Sequence, residues 1–173
     1  MRFRPCLSPG FAGEASISMD SKLNKACKTT GLIHMEHAAV LPPNQAESVL
    51  KQCSRPTPQH VDGTWVVPPT VVMQLESDLN KLSSLKPKQC CISDESVRNP
   101  ESYVRQYVGI TIRGRQYVYI NAFHYSILSA HSKERDLWKH KPVMVCDGGD
   151  AFWGALYDPE TREFSELAFN GVA

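Results

Sequence analysis

The residues best suited to chemistry lie toward the C-terminus, in Cys146-Asp147-Gly148-Gly149-Asp150 followed by Phe152-Trp153. Two carboxylates on a flexible loop could bind a cation, or Asp147 could work as an acid or base. The thiol in the same run adds a Cys/His hydrolase reading: Cys146 or Cys91 as nucleophile, His124 as base, and Asp147 or Asn121 orienting it. Set against these, EF-hand spacing is absent, and glycines flanked by aspartates are ordinary in bulges and turns. No local signature of a cysteine hydrolase surrounds any cysteine, and a Gly-rich phosphate loop, GxSxG and HExxH are all missing. His34 and His37 have a spacing that could share a metal on a helix, but no third ligand follows in sequence. His131 and His140 fall at no ligand spacing. No metal set is therefore assigned, and no pattern asks for a cofactor.

Composition narrows the classes further. The chain has 173 residues, 42% apolar, which suits one domain with its own core. A net charge of +1 argues against nucleic acid or an anionic membrane as the main partner. No apolar run approaches the length of a membrane span. Charge is uneven along the chain. Residues 1–60 carry seven Lys/Arg against four Asp/Glu, whereas Asp147, Asp150, Asp158, Glu160, Glu163 and Glu166 near the C-terminus are accompanied only by Arg162. The start Met-Arg-Phe-Arg is not followed by an apolar segment, so no signal peptide is expected as written, while Met19 and Met35 offer other starts. Six cysteines permit disulfides in an oxidising compartment, which leaves export to the periplasm or medium open. Cys53 and Cys146 are expected to find partners, with Cys90 or Cys91 involved. The alternative is buried free thiols acting as small hydrophobes.

The elements that must position these residues centre on Tyr103–Phe123, two β-branched and aromatic runs separated by Arg113-Gly114-Arg115, which read as a hairpin. Its expected faces are Val104, Val108, Ile110, Ile112, Val118, Ile120 and Ala122 on one side, with Tyr103, Tyr107, Tyr117, Tyr119 and Phe123 on the other. Residues 1–41 lack periodicity and read as a poorly ordered or accessory segment, leaving one α+β domain over 42–173. A helix should follow Pro42-Pro43, capped by Asn44, with Ala46, Val49, Leu50 and Cys53 on its buried stripe. After a Pro-rich connector with Trp65 as a core plug, a second helix opens at Pro68-Pro69-Thr70. It runs to about Ser84, with Val71, Val72, Leu75, Leu79 and Leu82 facing the sheet. The stretch after Phe123 reads as a loop or short helix. Strands are expected at Val143–Cys146, Phe152–Tyr157 and Phe164–Phe169, with a turn at Asp158-Pro159.

The resulting fold class is α+β, one main helix packed on a four- to five-stranded antiparallel meander, a layout that resembles the cystatins in architecture. Gln106-Tyr107-Val108-Gly109 misses the cystatin Gln-x-Val-x-Gly motif by one residue and falls within a strand, so protease inhibition is not implied. The pattern RQYVG, YINAF, VCDGGDAFWGALYDPETREF and FNG, over about residues 45–173, is similar to small uncharacterised bacterial proteins, many exported, and carries no activity with it. The functional expectation is a non-enzymatic binding or inhibitor-like module for another protein. It would use either a sheet face bearing Tyr103, Tyr107, Tyr117 and Tyr119 or the acidic C-terminal hairpin with Asp147, Asp150 and Trp153. The alternatives are the Cys/His hydrolase and a metal site at Cys146–Asp150.

Overall fold

A computed structural model describes residues 35–88, 96–129 and 136–172. Its centre is the expected hairpin, β3 (Tyr103–Ile112) and β4 (Arg115–His124), paired antiparallel over their whole length. Arg113 and Gly114 both have positive φ, 52° and 76°, as the twist-compatible two-residue hairpin turn requires. That turn also sets the faces. A two-residue loop pairs odd positions of β3 with even positions of β4, as in Tyr107 with Ile120 and Val108 with Tyr119. The tyrosines of the two strands therefore lie on opposite faces, correcting the expectation that they share one.

Around the hairpin the sheet has six strands and is mixed, not the expected four- to five-stranded antiparallel meander. The strands β3, β4, β5 (Phe152–Asp158) and β6 (Glu163–Phe169) follow one another as antiparallel neighbours. The outer flank of β3 is shared by two short pieces. β1 (Ala38–Val40) pairs parallel with Arg105–Tyr107, and β2 (Val61–Trp65) pairs antiparallel with Gly109–Ile112. β1 comes from the segment expected to be accessory and β2 from the expected connector. Neither is long enough to show a strand period in sequence, and both form because β3 offers them a free edge.

Three helices are present among the described residues: α1 (Ala46–Leu50), α2 (Pro69–Asp78) and α3 (Ser126–Ser129). A 3-10 turn over Leu79–Ser84 extends α2. Val72, Leu75, Leu79 and Leu82 from this unit are buried against Tyr107, Val118, Ile120, Trp153 and Leu167. The opposite face is covered by Leu41, Ala46 and Val49, packed on Val108, Ile110, Tyr119 and Leu156, and further along by Trp138 on Phe123 and Phe152. α1 stops at Leu50, so Cys53 lies beyond it and is exposed instead of on a buried stripe. Asn44 makes no cap. It lies inside a 3-10 turn, Pro43–Gln45, that precedes α1. No described helix is long and apolar enough to cross a membrane.

Candidate functional site

Residues 143–146, within the segment 137–147, differ from expectation in a way that builds the site. Val143–Cys146 is not a strand. It belongs to an irregular strap laid across the sheet face opposite α2. Irregular backbone over a sheet has no ladder to join, so its polar groups need side-chain partners. Four amides provide them: Gln45, which donates to the His140 carbonyl at 2.8 Å, and one each from β3, β4 and the C-terminal tail. Gln106 accepts from the Val143 amide at 2.9 Å and donates to the Lys141 carbonyl at 2.7 Å. Asn121 donates to the Val143 carbonyl and to Gln106 Oε1, each at 2.8 Å. Asn170 donates to the carbonyls of Val145 (2.7 Å) and Asp147 (3.1 Å).

Behind these amides sits Arg55, 5% exposed. It donates to Asn121 Oδ1, to Asn170 Oδ1 at 2.7 Å and to the Tyr119 hydroxyl at 3.4 Å. All its partners among the described residues are neutral oxygens. Its neighbours continue the fastening. Cys53 forms a disulfide with Cys146, and the Ser54 carbonyl and hydroxyl both accept from the Gly171 amide at 3.2 Å. Cys53-Ser54-Arg55 is thus one post that ties down both the strap and the tail.

Strap and tail meet at the end of the sheet and form one wall of a cleft of about 370 Å³. The Gly149 amide donates to the Gly171 carbonyl at 3.0 Å, joining the two segments. Gly148, Gly149, Asp150, Phe169 and Val172 line this wall. Ser96, Val97, Arg98 and Asn99 line the other side, and Ser102, Tyr103 and His124 come from the paired ends of β3 and β4. The Tyr103 and His124 rings meet edge to face at 5.5 Å, and the Tyr103 hydroxyl donates to the Asp150 carbonyl at 2.9 Å. Burial, reinforced by the Asp150 charge, raises the Tyr103 phenol above its ordinary value, so it stays a neutral donor. His124 Nδ1 accepts from the Ser126 amide at 3.4 Å and lies 2.8 Å from the Ser126 hydroxyl. The other ring nitrogen, Nε2, has no hydrogen-bond partner among the described residues.

The residues singled out by sequence divide accordingly. Cys146 is bonded to Cys53, so its sulfur is not a thiolate available for attack, and it does not line the cleft that holds His124. Asn121, the other proposed orienter, is buried and spent on Arg55, Gln106 and the strap. Asp147 is exposed and takes part through its carbonyl, whereas Asp150 lines the cleft. No three His, Cys, Asp or Glu side chains among the described residues cluster as metal ligands. Cys90 and Cys91, along with His34 and His131, lie outside the described residues.

The surfaces expected to bind look different in three dimensions. Tyr107 and Tyr119 are fully buried, one on each face, and Trp153 is core beneath Tyr103, the rings 5.7 Å apart. Tyr117 is half-buried, and its carbonyl accepts from the Trp65 indole at 2.9 Å. The β5–β6 hairpin is acidic only along the chain. In space Arg115 pairs with Asp158 at 2.6 Å, Lys81 approaches Glu163 at 3.8 Å, and Arg162 turns away to Asp78 at 2.9 Å.

The cleft residues Arg98, Asn99, Ser102, Phe169 and Val172 carried no signal in the sequence, since they come from two distant stretches of the chain, 98–102 and 169–172. Arg55 was equally hidden. A basic residue in a Pro-rich connector reads as solvated, and only the fold shows that three neutral oxygens surround it. The chain matches no family model, no curated protein and no solved structure at a significant level, so no role is carried over from a relative.

Proposed function

We propose that this protein is a non-enzymatic binding module that takes a segment of another protein into the Tyr103–His124 cleft. The reading is carried by one observation: a ring nitrogen with no partner among the described residues, His124 Nε2, stands beside Tyr103 in a cleft that also has apolar lining from Val97, Phe169 and Val172. A polar ring nitrogen next to apolar surface suits a peptide group that presents an apolar side chain beside a hydrogen-bonding backbone group. Closure of both sheet faces and local neutralisation of the C-terminal hairpin favour the cleft over the surfaces the sequence suggested. Cys146, one of the two cysteines considered as a hydrolase nucleophile, is consumed in a disulfide, which favours binding over turnover at that residue.

The test is an NMR titration of the ¹⁵N-labelled full chain with a pool of N-acetylated tripeptides ending in Leu or Phe. Amide shifts should concentrate at residues 96–103, 124–126, 148–151 and 169–172, and His124→Ala should weaken the interaction at least tenfold. Shifts centred on the β2–α1 side, or no saturable shifts with any peptide, would count against the cleft.

A further inference from the structure

We infer that the Cys53–Cys146 disulfide is a redox-operated clamp on the cleft wall, opened by a dithiol reductant while the sheet stays folded. Both cysteines are exposed, so a small dithiol or a dithiol protein can reach the bond. Exposed disulfides are the reducible ones, in contrast to those sealed in a core. The position of the bond gives it leverage. Cys146 stands two residues before Gly148, where the wall begins, and its partner Cys53 heads the post that also holds the tail through Ser54 and Arg55. The central strands have their own support in the β3–β4 and β4–β5 ladders and the α2 core, none of which runs through the disulfide.

The reaction balances within the pair and the reductant. The dithiol gives two electrons and two protons. Its sulfurs join in a new disulfide, and the Cys53–Cys146 bond breaks into two thiols. Gln106, Asn121 and Asn170 still hold the strap in the reduced state, but Gly148–Asp150 lose the only disulfide among the described residues that ties the strap to the post, and the tail, joined to them through the Gly149–Gly171 hydrogen bond, loosens with them. The consequence for a ligand rests on the cleft reading above; the loosening itself does not.

The experiment uses the full chain with Cys6→Ser, Cys27→Ser, Cys90→Ser and Cys91→Ser, so that only the Cys53–Cys146 pair can form. Native protein is treated with dithiothreitol, the thiols are counted by alkylation and intact mass, and hydrogen exchange is followed by peptide mass spectrometry. Reduction should proceed without denaturant, exchange in 143–151 and 168–172 should accelerate at least fivefold, and peptides of β3 and β4 should keep their rates. Reoxidation should restore the original pattern. A pair that resists reduction until the protein unfolds would overturn the proposal. Unchanged wall exchange after reduction would do so too, as would a sheet that loosens along with the wall. Wild-type chain, with Cys53 and Cys146 tracked by peptide mapping, serves if the serine background does not fold. Because exchange is read without a ligand, failure of the clamp and failure of the cleft are separate results.

Discussion

The two faces of the sheet are fastened by different chemistry. Facing α2, Arg105 is 1% exposed and makes a bidentate pair with Glu76, at 3.2 and 3.0 Å, while the Tyr107 hydroxyl donates to the same carboxylate. Burial, with Glu76 beside it, pushes the Tyr107 phenol well above its ordinary range, so the phenol remains a donor. Facing the strap, Arg55 has no carboxylate among its partners in the described residues and is held by Asn121, Asn170 and Tyr119. The difference follows from what each face must hold. A helix satisfies its own backbone, so α2 needs only an anchor, and a paired charge is enough. The strap satisfies little of its own backbone and needs amides that donate and accept at once, which carboxylates cannot do.

The largest effect expected from breaking this contrast is on the α2 face. Arg105→Ala removes the guanidinium that faces the buried Glu76 carboxylate, and urea unfolding should show a loss of about 3–5 kcal/mol. Joint replacement, Glu76→Leu with Arg105→Met, should restore most of that, because a buried pair replaced whole by apolar groups is often near neutral. If the double variant were as unstable as the single, the pair would be doing more than anchoring.

A smaller loss is expected on the strap face from Gly154→Ala. A Cβ there would lie 2.5 Å from the Tyr119 hydroxyl and 3.0 Å from Arg55 Nε, so the Arg55 cluster must shift. Overpacking of this kind costs about 1–3 kcal/mol, and hydrogen exchange should place the damage in the strap and tail, sparing α2.

The mildest test sits at the edge of the α2 face, where Tyr157 donates to Asp78 at 2.8 Å. Burial, helped by the Asp78 hydrogen bond, raises the Tyr157 phenol to about 12 from an ordinary 10.0. A raised folded value means its contribution is complete below pH 10 and disappears as pH climbs toward about 12. Asp78 works in the opposite direction. Burial alone would raise it, but Arg162 and Tyr157 outweigh that and hold it below its ordinary value of 3.8, so its contribution is full above that pH and fades below it. Stability measured from pH 9 to 12 should fall more steeply in wild type than in Tyr157→Phe; equal slopes would remove Tyr157 from the account.

The sequence disclosed what repeats along it. The β3–β4 hairpin and the Val72, Leu75, Leu79, Leu82 stripe were both legible because their periods of 2 and 3.6 run for many residues. Which tyrosines share a face was not, since one residue of turn length reverses the answer. β1 and β2 were missed because three and five residues hold too little period, and they owe their structure to the edge they dock on. Val143-Met144-Val145 reads as a strand because its alternation is real, but its backbone is met by side-chain amides instead of a neighbouring strand. Of the site, Tyr103, His124 and Asp150 were named in advance, yet as members of three different hypotheses, and nothing local could show that the fold brings them to one cleft.

The contrast between the faces is tested most directly at Gln106, whose side chain contacts the strap at the Val143 amide and at the carbonyls of Trp138 and Lys141. Hydrogen exchange by NMR should compare wild type with Gln106→Ala. The expected result is that the Val143 amide exchanges at least tenfold faster in the variant, while Tyr107 and Ile120 in the ladder and Leu75 in α2 keep their rates. A Val143 amide that is equally protected without the glutamine, or an α2 that opens along with the strap, would contradict separate fastening of the two faces.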